Sequence, residues 1–166
     1  MLVKPLVVVN LLIVAASLGG AVSSVDRADK VVVNKSKREL LLLKDGKVIR
    51  SYKVALGRNP VGQKQRQGDS KTPEGAYIIS GRNGGSAYHR SLRISYPNAA
   101  DRDRARQLGV APGGDIMIHG LPNGRGFIGA AHRLIDWTDG CVAVTDAEIE
   151  EIWRLVPDGT PILINP

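Results

Sequence analysis

Short apolar blocks alternate with turn-forming residues along most of the chain, a pattern that predicts strands more than helices. Val31–Asn34 is a β-branched block, and Glu39–Leu43 and Lys47–Leu56 flank Lys44-Asp45-Gly46. Asp-Gly supplies the positive φ of a tight hairpin turn, so these two blocks are expected to pair. Gly57–Pro73 has no apolar period to bury and is read as a surface loop. Ala76–Ser80, Leu92–Tyr96 and Asp115–His119 are read as further short strands, the last running out into Gly120. Two helices are expected. Pro97 and Asn98 open a polar segment, Ala99–Leu108, that Gly109 stops. Thr145-Asp146-Ala147-Glu148 matches a capping box, and Ile149, Ile152, Trp153 and Val156 recur at helical spacing, which predicts an amphipathic helix over Asp146–Val156. Pro157-Asp158-Gly159 then turns the chain into a final strand, Ile162–Ile164. Strands do not alternate regularly with helices, so the expected fold is mainly β: a sandwich or barrel-like sheet with two or three peripheral short helices.

The N-terminus breaks this pattern. Lys4 precedes an apolar run, Leu6–Leu18, interrupted only by Asn10 and Ser17 and followed by Gly19, Gly20 and Ala21. A basic start, an apolar stretch and a small-residue zone form the layout of a secretory signal, with cleavage expected after Ala21 or Ser23; left uncleaved, the run approaches spanning length and would tether the chain to a membrane. The reading is therefore residues 1–23 as signal or anchor, 24–29 as linker and 30–166 as one folded domain, exported to the periplasm or cell envelope. The length of 166 residues leaves room for a single core after the leader.

Charge adds a direction. Lys and Arg number 23 against 16 Asp and Glu, a net charge of +7, which suits an anionic partner. Aromatic residues are only 4% of the chain and the basic residues are scattered, so nucleic-acid binding is not expected. A membrane surface or an anionic wall polymer fits the charge equally well.

Cys141 is the one cysteine, so no internal disulfide can form, and an exported lone thiol is either buried or used. Its setting, Asp136-Trp137-Thr138-Asp139-Gly140-Cys141, puts glycine just before sulfur, where the backbone can turn sharply and bring its N–H groups toward whatever the sulfur attacks. A nucleophilic thiol needs a base, and the chain offers His89, His119 and His132. His119 is favoured because it ends an apolar strand and precedes Gly120, so a rigid element would hold the imidazole. No His-x-x-x-His, Cys-x-x-Cys or phosphate-loop spacing occurs, so neither a metal nor another cofactor is expected.

Taken together, Lys71-Thr72-Pro73-Glu74-Gly75, Ser95-Tyr96-Pro97-Asn98, Ile116-Met117-Ile118-His119-Gly120 and Thr138-Asp139-Gly140-Cys141 resemble the L,D-transpeptidase catalytic (YkuD-type) family of bacterial cell-wall enzymes. The resemblance implies a β-sandwich fold, Cys141 as nucleophile, His119 as general base, the Gly120 carbonyl orienting the imidazole, and backbone N–H groups at Gly140 and Cys141 holding the oxyanion. It implies attack on the carbonyl of the L-centre of the third residue of a peptidoglycan tetrapeptide stem. D-Ala leaves, and the acyl group passes to an amine to form a cross-link. With water as acceptor the same site would be an L,D-carboxypeptidase; a cysteine amidase cutting a wall link and a wall-binding protein without turnover are the other readings. This chain departs from the family at Asp139, where most members have His, at Ala143, where many have Arg, and in its longer interval from His119 to Cys141. Asp139 is accordingly expected to pair with a cation, His119 or Arg133, and Arg133 or Arg125 to replace the missing arginine in substrate binding.

Overall fold

The computed structural model describes residues 27–166. The expected signal or anchor, 1–23, and the first part of the linker lie outside the described residues. Among the described residues, no helix is long and apolar enough to cross a membrane.

Among the described residues, eight strands form one curled sheet: β1 (Lys30–Asn34), β2 (Glu39–Lys44), β3 (Lys47–Lys53), β4 (Gly75–Asn83), β5 (Ser91–Ile94), β6 (Met117–His119), β7 (Val142–Ala143) and β8 (Pro161–Asn165). Their order is β3-β2-β1-β8-β4-β5-β6-β7, with β1/β8 and β6/β7 parallel and all other neighbours antiparallel. Beyond β3 the chain bends across to the far edge, where Ala55 bridges Ala143 and Gly57 bridges Thr138. The two ends of the sheet thus meet next to Cys141, and the exposed edges that an open sheet would leave there are removed. This is why the segment predicted as strand to Leu56 leaves β3 at Lys53: Ala55 and Gly57 pair with the other end of the sheet instead.

Alternation fixes the interior. Val31 and Val33, Leu40 and Leu42, Tyr77 and Ile79, and Ile162 and Ile164 point inward from neighbouring strands and are buried. Helix α2 (Asp146–Leu155) covers the interior at β5 and β6 with Ile149, Ile152 and Leu155, and its capping box is complete at Thr145 and Glu148. Helix α1 (Ala99–Gln107) starts on a second capping box, Asn98 with Asp101, and the chain leaves it through Gly109 at φ +66°. The third helical piece is 3-10, Gly126–Leu134, kinked at Gly129; its His132 packs edge-on against Trp137. The mainly β architecture with three peripheral helical pieces matches the expectation from sequence.

The loop Gly57–Pro73 is not a passive surface segment. Lys64 inserts into the fold with its side chain 3% exposed and pairs with Asp69, 9% exposed, at 2.8 Å. Asp69 also accepts the backbone N–H groups of Gln65, Arg66 and Lys71 at 2.8, 3.0 and 3.1 Å. Lys35, equally buried, donates to Gly62 O at 2.8 Å, Thr72 O at 2.9 Å and Glu74 at 2.7 Å. A polar composition hid two buried ammonium anchors that fix this loop against the sheet.

Candidate active site

Strand register puts the thiol and the imidazole on one face of the sheet. In the parallel β6/β7 pair Ile118 lies opposite Val142 and His119 opposite Ala143, so Cys141 sits across from Met117. Ile118 and Val142 face the core. Because successive side chains alternate, His119 and Cys141 share the opposite face, on a diagonal of roughly 8 Å between Cα atoms, within reach of two side chains. The Cys141 Sγ lies 3.5 Å from the Asp115 carbonyl oxygen.

Gly140 shapes the approach to the sulfur. It holds φ +127°, and a Cβ there would lie 2.5 Å from the Lys71 carbonyl oxygen, so only glycine lets the thiol loop pack against the anchored 57–73 loop. Its N–H donates to Thr138 Oγ1 at 3.1 Å, and that hydroxyl donates to Cys141 O at 2.8 Å. The Gly140 N–H, expected to hold the oxyanion, is therefore engaged within the turn in this state.

His119 is 4% exposed, and its Nδ1 lies 2.7 Å from Gly120 O. A carbonyl only accepts, so Nδ1 carries the proton and Nε2 presents a lone pair. Tyr88 packs against the ring at 4.5 Å between centroids, and Trp137 lies edge-on at 5.7 Å. Burial pushes the imidazole below its ordinary pKa, and the bond to Gly120 offsets only part of this. Burial likewise pushes the Cys141 thiol up; the Met117 N–H works against it, whereas the Asp139 and Asp115 carboxylates add to it. Burial thus favours the thiol and the neutral imidazole as the resting forms of the two groups.

The other expected site residues fall elsewhere. Asp139 does pair with a cation, but the partner is Arg58, not His119 or Arg133; both side chains are exposed. The sheet closure at Gly57 and Thr138 delivers Arg58 to that position, a long-range contact that spacing could not reveal. Arg133 forms an ion pair with Glu148, the capping-box residue of α2, and so joins the 3-10 segment to that helix. Ala143, where the resemblance calls for an arginine, is fully buried and bridges Ala55. Arg125 is exposed and lines a cavity of about 350 Å³ with Leu121, Ile128, His132, Ile135 and Trp137. His132 is 6% exposed and burial pushes its pKa down to about 4, with Arg133 adding to the effect; its Nδ1 lies 3.4 Å from the Trp137 indole N–H. His89 is turned outward at φ +64°, 2.8 Å from Glu150. Among the described residues, no group of three His, Cys, Asp or Glu is placed to hold a metal ion. Tyr88, Trp137 and Arg58 escaped the sequence reading as site residues; Trp137 alone had a signal, its place within the cysteine segment.

The curled sheet thus carries a cysteine and a carbonyl-oriented histidine on one face. Over residues 28–164 the chain matches the family model of the L,D-transpeptidase catalytic domain, YkuD, and it belongs to that family. YafK of Escherichia coli (strain K12), a candidate L,D-transpeptidase, is 36% identical over 110 residues, 64% of this chain and 36% of YafK. YqjB of Bacillus subtilis (strain 168), likewise a candidate L,D-transpeptidase, is 28% identical over 136 residues, covering 81% of this chain and 70% of YqjB. Among solved structures, the helical cell shape determining protein Pgp2 from Campylobacter jejuni superposes with a TM-score of 0.63 at 27% identity, over 84% of this chain and 48% of Pgp2. The L,D-transpeptidase from Xylanimonas cellulosilytica shares the fold with a TM-score of 0.56 at 20% identity, over 84% of this chain and 61% of that chain. The chain thus spans about a third of YafK's length and about half of Pgp2's.

Proposed function

We propose that this chain is an exported L,D-transpeptidase that acts on peptidoglycan stem peptides. Cys141 attacks the carbonyl of the L-centre of the third stem residue while His119 Nε2 takes the thiol proton. The thioester forms as the bond to D-Ala breaks, and the proton held on Nε2 passes to the departing amine. An amine of a neighbouring stem then attacks the thioester, His119 accepts its proton, and the thiol is regenerated. The Cys141 N–H is the nearest oxyanion donor; the Gly140 N–H joins it if Thr138 Oγ1 releases it. Neither step draws on a metal or cofactor. The observation that carries the reading is the 2.7 Å contact from His119 Nδ1 to Gly120 O, which leaves Nε2 as the basic nitrogen on the face shared with Cys141.

The net charge of +7 suits an anionic envelope, and the apolar residues 6–18 suit export, with or without retention as a membrane tether. The test is product analysis. A disaccharide-tetrapeptide incubated with the purified chain should release D-Ala, and with an acceptor stem present it should yield a cross-linked dimer. Release of D-Ala with no dimer at any acceptor concentration would assign a carboxypeptidase instead. Cleavage of an existing wall link with no dimer formed would assign an amidase, and no turnover with the thiol reduced would leave a wall-binding role.

A further inference from the structure

Asp146 is the first residue of α2, yet its carboxylate takes no part in the capping box. Thr145 caps the Glu148 N–H and Glu148 caps the Thr145 N–H, which completes the capping box without it. The carboxylate turns away from the helix, and its Oδ1 accepts the Leu121 N–H at 2.8 Å. That N–H belongs to the same peptide unit as the Gly120 carbonyl, which accepts from His119 Nδ1 at 2.7 Å. The unit is trans, so its N–H and C=O point in opposite directions. Fixing the N–H on Asp146 therefore fixes the direction of the carbonyl toward the imidazole.

The space around the carboxylate is built by two glycines. A Cβ on Gly120 would lie 2.7 Å from Asp146 Oδ1, and a Cβ on Gly126 would lie 2.4 Å from Oδ2. On its own side Gly120 is held by its N–H to the carbonyl oxygens of Tyr88 and Arg90, at 3.1 and 3.3 Å. His89 Nδ1 lies 3.9 Å from Oδ2, and Glu150 faces the other side of that imidazole.

We infer that Asp146 is a positioning residue for His119, acting through the Gly120–Leu121 peptide unit: carboxylate, peptide and imidazole form a relay that does the work a directly bonded carboxylate does in a catalytic triad. The carboxylate polarises the peptide, the carbonyl becomes a stronger acceptor, and the imidazole is held as the Nδ1–H tautomer with Nε2 free. The inference rests on the acyl-transfer reading above for its kinetic consequence, but its structural content is independent of that reading.

The test uses side-chain ¹⁵N NMR of His119 together with acylation kinetics, in the natural chain, Asp146→Asn and Asp146→Ala. Asn retains an oxygen that accepts the Leu121 N–H. The expected result is an Nδ1–H tautomer in the natural chain and in Asp146→Asn, and mixed tautomers in Asp146→Ala. Acylation in Asp146→Ala should fall about 10- to 100-fold through kcat with KM little changed, the size known for a lost partner behind a metal-bound histidine; Asp146→Asn, which keeps the acceptor oxygen and loses the charge, should fall by less than Asp146→Ala. A merely structural role would lower stability in both variants and leave the tautomer alone. Should Asp146→Ala fail to fold, the natural chain still decides: a through-hydrogen-bond scalar coupling between the Leu121 amide nitrogen and the Asp146 carboxyl carbon is expected, and its absence overturns the inference. A pure Nδ1–H tautomer in folded Asp146→Ala overturns it equally. If the natural chain does not acylate while the tautomer follows Asp146, the relay stands and the acyl-transfer reading fails.

Discussion

Replacing Asp69 by asparagine removes the charge that Lys64 was buried to meet. In the natural chain the Lys64 ammonium has Asp69 at 2.8 Å, the Arg66 carbonyl at 3.2 Å and the Tyr96 ring at 6.0 Å. The Asp69→Asn variant would leave it with a carbonyl, a ring face and an amide oxygen. Breaking a buried ion pair on one side costs about 3–5 kcal/mol, and because the amide oxygen still accepts, the lower end, about 3 kcal/mol, is expected. For a fold of this size that corresponds to a fall of roughly 10 °C in Tm. The pH dependence follows from the carboxyl's own shift. Burial pushes Asp69 up, but Lys64 and three backbone N–H groups outweigh it, so its folded pKa lies below the ordinary carboxylate range. Its contribution is therefore full above that range and is lost as pH falls through the folded value. Urea and thermal unfolding followed by circular dichroism should show the full deficit at pH 7 and a shrinking one in strong acid. Adding Lys64→Met to Asp69→Asn should recover much of the loss, since the uncompensated charge disappears. A deficit under about 1 kcal/mol at pH 7, or a double variant no more stable than Asp69→Asn, would show that the pair does not anchor the loop.

Other expectations concern the site and the core. Gly140→Ala forces a side chain into a φ of +127° against the Lys71 carbonyl, so a Tm drop and slower acylation should appear together. Alkylation of Cys141 by iodoacetamide should rise with pH and reach its midpoint above the ordinary thiol value near 8.5, with no plateau in the acid range, because burial favours the thiol over the thiolate. Asp139→Asn takes away a negative charge that opposes the thiolate, so that midpoint should move to lower pH, while the exposed pair with Arg58 contributes little to stability. Ile152→Ala at the buried face of α2 should cost about 2–5 kcal/mol in urea unfolding.

The elements with local causes were legible in the chain: the Asp45-Gly46 hairpin, the capping box ahead of α2, the strand that ends at His119 and the glycine before Cys141. What was hidden depends on contacts far apart in sequence. The two-residue β7 has too short a pattern to read and exists because β6 and Ala55 pair with it on either side. The pairing of Asp139 with Arg58 depends on the same closure. Lys64 lay unnoticed in a segment read as a surface loop because burial of an ammonium is set by where its acceptors converge, which composition does not encode. The relay through Asp146 was masked for a related reason: a capping-box motif explains an acidic residue at a helix start, and only the fold shows that this carboxylate serves a different element.

Acyl-enzyme formation can be read by intact-protein mass spectrometry of the reduced chain after brief exposure to a disaccharide-tetrapeptide, alongside Cys141→Ala and His119→Asn. A thioester-sized mass gain is expected on the natural chain, none on Cys141→Ala and a much slower gain on His119→Asn. An adduct that survives in Cys141→Ala, or one that forms as fast without His119, would rule out the Cys141–His119 pair as the acylating machinery.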